Sequence, residues 1–249
     1  MRGGWMGLFL LLSAGGALAA GDTLQEAPEE HDDGLGEVVR ADGRVQVLPA
    51  RGFRKEPAEA GHALNQGDMV LTGDEARAVL AFADGSRVAM NGETKLEVLG
   101  PGAMRQEGGQ VLYRIRKGSS QGRQVRTEFS VIGVKGTEFL VSDTGGARAV
   151  AMAEGEVEVA APDDGRFKLY REKQQDEFDA YRQRQRQGME DYRQEFEQYK
   201  ERVRREFVEY ARSFSLGGGN MATFGDGEAT TGKVSEEFEK EIQRLRKLL

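Results

Sequence analysis

The stretch FSVIGVKGTEFLVSDTGG, Phe129–Gly146, alternates apolar and polar residues like a strand, yet Gly133 and Gly136 interrupt it, with Lys135 between them. Three readings compete: a phosphate-cradling loop, an irregularity in a β-sheet, or the mark of a known module. The spacing of the two glycines fits no phosphate loop, and no helical pattern follows them. Glycines inside a strand signal a bulge or a close backbone approach. The expectation is one strand that turns or bulges so that Val131, Val134 and Phe139 still reach a core, with Lys135 facing solvent.

The same alternation extends on both sides. Ala78, Leu80 and Phe82 share one face, and Val88 and Met90 answer them across Asp84-Gly85. Further turn signals stand at Asp42-Gly43, Gly108-Gly109, Gly145-Gly146 and Asp163-Asp164-Gly165. Asp-Gly between alternating runs is the strongest short-range hairpin signal. Residues 34–165 are therefore predicted to form an all-β domain of about nine or ten short strands.

The N-terminal residues read differently. Arg2 precedes an apolar run from Met6 to Leu12, and Ala17 and Ala19 stand in an A-x-A arrangement. This is the pattern of a secretory signal peptide over residues 1–19, and the run is short for a membrane span. Residues 20–33 are acidic and nearly without apolar side chains, which predicts a disordered lead-in. The chain has no cysteine, so a lipoprotein anchor, a disulfide and thiolate chemistry are all excluded. A periplasmic or secreted protein is expected, held together by packing alone. The net charge of −7 argues against a nucleic-acid partner.

Residues 166–215 carry an eleven-residue repeat. Tyr170, Tyr181, Tyr192, Val203 and Phe214 fall on one ladder; Phe178, Phe196 with Phe207, and Tyr199 with Tyr210 extend the pattern. Eleven residues are about three helical turns, so each ladder holds one face of a helix of up to ~70 Å. These aromatics are candidate interface residues, because an exposed apolar stripe must bury against something. A copy of the chain, a partner helix, the β-domain itself or a membrane surface would each serve. Residues 216–249 read as a Gly-rich linker, a small hairpin around Asp226-Gly227, and a terminal helix. Ser235 could cap that helix, and Phe238, Ile242, Leu245 and Leu249 form its apolar face.

Signals for chemistry are weak. Gly227–Ser235 nearly matches a nucleotide-phosphate loop, but Val234 stands where a hydroxyl should hold magnesium. His31 and His62, the only histidines, lack partners at ligand spacing. No catalytic residue, cofactor or metal is assigned, and the chain is not expected to be an enzyme.

Four ordered segments carry a family resemblance. Gly36–Val47 resembles the opening hairpin of the FecR family. Leu64–Met90 resembles its central signature, at Gly67, Asp68, Thr72, Gly73, Ala78, Leu80, Phe82, Asp84, Gly85 and Ser86. Phe129–Val141 resembles the closing motif, at Gly133, Val134, Lys135, Gly136, Thr137 and Phe139, and Val150–Val159 resembles the last hairpin. The resemblance covers about residues 34–161 and implies an all-β extracytoplasmic domain, wound as a solenoid-like or sandwich fold. The best-known members of that family are membrane-spanning regulators. Their periplasmic domain reads an outer-membrane receptor, and their cytoplasmic N-terminal domain handles a sigma factor. Here only a few residues precede the apolar run, so an exported module fused to a long helix is expected. It would bind a protein or envelope glycan and could self-assemble through the helix; a sensing role in sigma-factor signalling is the alternative.

Overall fold

The computed structural model describes residues 34–118, 123–145, 147–171 and 209–249. The alternating runs become strands β1 (Gly36–Asp42), β2 (Val45–Leu48), β3 (Glu56–Pro57), β4 (His62–Leu64), β5 (Met69–Thr72), β6 (Arg77–Phe82) and β7 (Arg87–Met90). They continue as β8 (Lys95–Gly100), β9 (Ala103–Glu107), β10 (Gly109–Arg114), β11 (Arg123–Arg126), β12 (Val131–Val134), β13 (Glu138–Thr144), β14 (Ala147–Glu154) and β15 (Glu156–Ala160). After a 3-10 turn at Pro162–Asp164 come β16 (Phe167–Arg171), β17 (Glu209–Ala211), β18 (Ser213–Gly217), β19 (Asn220–Gly225), β20 (Glu228–Lys233) and helix α1 (Glu236–Arg246).

Eleven strands form one sheet, in the order β17-β16-β20-β19-β14-β13-β10-β7-β6-β1-β4. Nine form the other, β18-β15-β12-β11-β9-β8-β5-β2-β3, and neither closes into a barrel. All pairings are antiparallel except β9 with β11 and β16 with β20. The chain stays in one sheet for only one or two strands before crossing to the other. This explains why residues 34–165 hold fifteen strands rather than nine or ten. A run read as one strand becomes two when it turns a corner between sheets.

The opening stretch shows this. β12 lies in the nine-stranded sheet and β13 in the eleven-stranded one, so Lys135-Gly136-Thr137 is a corner. Gly133 is no bulge: it pairs regularly with Gln124 and Glu158. Ile132 and Val134 are buried, not Val131, while Phe139 is buried and Lys135 exposed. Gly136 has φ +82°, and a Cβ there would stand 2.2 Å from Lys117 Cγ and 2.8 Å from its Cα. Both the backbone angle and the space therefore demand glycine.

One core fills the space between the sheets. Leu80, Met90, Tyr113 and Phe139 come from one side, and Val70, Leu96, Ile132 and Val159 from the other. A second cluster lies on the outer face of the larger sheet, where Val79, Ala89, Leu112, Leu140 and Ala151 meet Ile242 and Leu245 of α1. The central strands are thus buried on both faces, which is why AVLA and FLVS read as nearly continuous apolar runs. Polar contacts fix the helix. Buried Glu138 accepts from Arg246 Nε at 2.6 Å and from Arg114 Nε at 2.7 Å. Arg87 Nη1 donates to the Leu249 carbonyl at 2.7 Å. Ser235 holds the N-cap position, but its side chain makes no capping bond.

The C-terminal half departs from the sequence expectation. A single helix over 166–215 is overturned at both ends, by β16 at one and by β17 and β18 at the other. Leu169 sits opposite Glu209 in antiparallel register, whereas the ends of a ~70 Å rod would lie far apart. Phe167 and Leu169 alternate with Lys168 and Tyr170, a two-residue period that the eleven-residue ladder masked. The part of the expectation covering Phe178, Tyr181, Tyr192, Phe196, Tyr199, Val203 and Phe207 lies outside the described residues, as do residues 1–33. Phe214 is core rather than interface. It is 4% exposed, its ring lies 5.7 Å from Phe167, and both rings pack near Phe224. Gly217 ends β18 and Gly218-Gly219 form the turn into β19, so this glycine run is not a linker. β20 pairs with β19 and β16, so Glu228–Lys233 is strand and cannot be a phosphate loop.

Candidate functional site at the Asp84–Arg123 corner

The turn from β6 to β7 is built by its own polar groups. Gly85 N donates to the Phe82 carbonyl at 2.8 Å, and Phe82 N donates to that of Ser86 at 3.0 Å. Asp84 Oδ1 accepts from Ser86 N at 2.7 Å, the Asx-type contact that favours Asp in turns. Its other oxygen pairs with Arg123 Nη2 at the start of β11. Arg123 Nη1 donates to Ser86 Oγ, which also accepts from Arg116 N at 3.1 Å. Arg123 is 4% exposed and Asp84 31%, so the cation lies beneath its carboxylate.

A cavity of about 300 Å³ opens here. Leu35, Phe82, Pro101 and Met104 line it alongside Asp84, Ser86 and Arg123. Apolar walls with a few convergent polar groups are the usual form of a binding site. The Ser86 hydroxyl is in contact with two N–H donors rather than a base, so the arrangement suits recognition. Among the described residues, no cluster of three or more His, Asp or Glu could hold a metal.

The other signature residues lie at separate corners. Asp68 accepts from Ala50 N at 2.9 Å and Asn65 N at 2.8 Å, beside Gly67. Thr72 Oγ1 donates to the Asn91 carbonyl at 2.6 Å and accepts from Thr94 N at 3.0 Å. Gly73 N donates to the Arg44 carbonyl at 2.9 Å. Thr137 is buried beside Gly155, and its hydroxyl has no hydrogen-bond partner among the described residues. Phe139 stacks on Tyr113 at 5.1 Å. Of the motif, Phe82, Asp84, Gly85 and Ser86 stand at this corner. Arg116 and Arg123 escaped the sequence reading because a single arginine in a polar run carries no spacing signal.

Three titrating groups among the described residues, all outside the corner, are perturbed. Hydrogen bonding to Tyr170, then to Glu228, holds the exposed Lys168 ammonium above the usual lysine range, and Lys168 in turn pulls the Glu228 carboxyl down. Tyr170 thus belongs to a surface network, whereas Tyr210 stands 67% exposed. Tyr113 is fully buried, and burial pushes its phenol well above 10.0. Its hydroxyl donates to Gln106 Oε1 at 3.0 Å. In the unfolded chain the phenol ionises above about pH 10 while the folded one keeps its proton, so this group makes stability fall as pH rises through that range. Tyr113→Phe is expected to flatten the alkaline fall, measured as denaturant midpoints at neutral pH and about pH 11.

The motif's order and the winding between sheets point to one family. The family model described as FecR protein matches residues 68–158, from the start of the central signature into β15. Residues 68–158 are a FecR domain. β1–β4 precede the matched FecR region, and β16–β20 and α1 follow it within the same two sheets and their outer cover. Two crystal structures, at 1.65 and 2.50 Å, are of a Parabacteroides distasonis protein provisionally assigned as an anti-sigma factor. They align at 13% and 14% identity with TM-scores of 0.44 and 0.43. Each alignment covers 68% of this chain and 61% of the other, so less than two thirds of those chains is matched. No curated protein matches the chain. Among the described residues, no helix is long and apolar enough to cross a membrane.

Proposed function

We propose that this chain is a non-catalytic, extracytoplasmic binding or scaffold protein of the cell envelope, built on its FecR domain. The observation behind this reading is how the signature's polar groups are used. Asp68, Thr72 and Asp84 each hold backbone at a corner between strands, so the motif shapes loops and leaves recognition to the surfaces those loops present. A protein or an envelope glycan is the expected partner, and self-association would make the chain a scaffold. Co-sedimentation with purified peptidoglycan, run beside light scattering at high micromolar concentration, tests this. Retention on the glycan or a concentration-dependent mass supports the reading; a monomer that stays in the supernatant counts against both forms of it.

The FecR match also favours a second reading, a sensing component linked to sigma-factor signalling. Transcript profiling of cells lacking the protein separates the two. A change confined to one sigma factor's targets supports sensing, and an unchanged profile supports the scaffold.

A further inference from the structure

Phe53 is the most exposed large apolar side chain among the described residues, at 103% of its reference area. It stands in the loop Pro49–Lys55 between β2 and β3, at the edge of the nine-stranded sheet. Arg51, Arg54 and Lys55 surround it, all exposed and none in an ion pair among the described residues. In a chain of net charge −7, three cations within five residues make a local reversal of sign, offset in part by Glu56.

The loop is held at its base and free at its tip. Asp68 Oδ1 accepts from Ala50 N at 2.9 Å, and Gly52 N closes a turn onto the Pro49 carbonyl at 2.9 Å. Gly67 lets the base pack closely, since a Cβ there would stand 2.7 Å from that of Ala50. On the other limb, Ala58 is buried and its N–H donates to the Val45 carbonyl at 3.0 Å. The FecR residues Gly67 and Asp68 thus hold out a basic loop carrying one unpacked aromatic ring.

We infer that the Arg51–Lys55 loop is a docking element for an anionic phospholipid surface, with Phe53 entering the interface and the three cations meeting headgroup charge. The choice of a lipid surface over a protein pocket rests on the cations. Among the described residues no side-chain hydrogen bond or ion pair fixes Arg51, Arg54 or Lys55 in one geometry, which suits diffuse negative charge better than a directional site. A convex tip with an aromatic ring among basic residues is also the composition that partitions into a headgroup layer. This deepens the envelope-binding reading and rests on it only for the protein's placement outside the cytoplasm.

The test is flotation of the purified chain with vesicles of phosphatidylcholine alone or with one quarter phosphatidylglycerol. The chain should float with the anionic vesicles only, and high salt should release it. Loss of one cation should weaken binding roughly fivefold, and R51E/R54E/K55E should bring it to background. Phe53→Ala should lower it about five- to tenfold at unchanged charge. Lys240→Glu, on the exposed face of α1, should float as the parent does. Absence of flotation by the parent chain overturns the inference, and so does equal flotation by the loop variants, which would assign binding to another element. Far-UV circular dichroism establishes that the variants are folded. Either negative leaves the peptidoglycan and self-association experiments to decide the wider reading.

Discussion

Replacing Asp84 by alanine is expected to destabilise the protein by about 3 kcal/mol, the lower end of the range for breaking a buried ion pair. The lower end applies because Asp84 is 31% exposed and partly solvated. The loss comes chiefly from its partner. Arg123 is 4% exposed, so without Asp84 a guanidinium is left buried with the neutral Ser86 hydroxyl as its remaining side-chain partner among the described residues. The turn also loses the contact from Ser86 N. The asymmetry is itself testable. Arg123→Met leaves a carboxylate that water can reach and should cost less, about 1–2 kcal/mol. The double variant should cost less than the two singles added, since one change removes the reason for the other's penalty. Equal single costs that simply add would mean that the pair does not hold this corner. Urea titrations of the four proteins make the comparison.

Leu245→Ala is expected to cost about 2–5 kcal/mol, the range for a leucine in a closed site. Leu245 is fully buried in the cluster that joins α1 to Leu112 and Leu140 of the larger sheet. Because α1 covers an apolar face in the middle of the fold, its loosening should also promote association of the exposed sheet. Lys240→Ala, on a side chain 80% exposed, should stay within about 0.5 kcal/mol of the parent. Denaturant midpoints and light scattering together separate lost packing from aggregation.

Much of the β-domain was legible because its signals are local. Asp84-Gly85 marked a turn, Leu80 and Val88 marked a face, and the apolar spacing of Ile242 and Leu245 marked the helix. The sheet-switching corners were not legible. Gly136 carries the information, but a glycine needed for positive φ and one at a bulge look alike in one sequence. The outer cover was hidden for a similar reason. Val79, Leu112 and Leu140 break the two-residue alternation, and only the docked helix explains them. The eleven-residue ladder misled at its ends. Tyr170 and Phe214 fit both a helical stripe and a strand, and long-range pairing with β20 and β15 decided for strands. At the candidate site, Asp84 and Ser86 were visible as a motif. Arg123 became visible only when folding brought β11 beneath the β6–β7 turn.

β16–β20 and α1 complete the sandwich begun by the FecR domain, rather than forming an appendage to it. Native-state hydrogen exchange on the whole chain tests this most directly. Amides in the last turns of α1, around Ile242 and Leu245, and those of β19 should exchange with the same free energy as those of β13. They would then open only with global unfolding. Exchange of α1 and β19 at a much lower free energy, with β13 still protected, would contradict it.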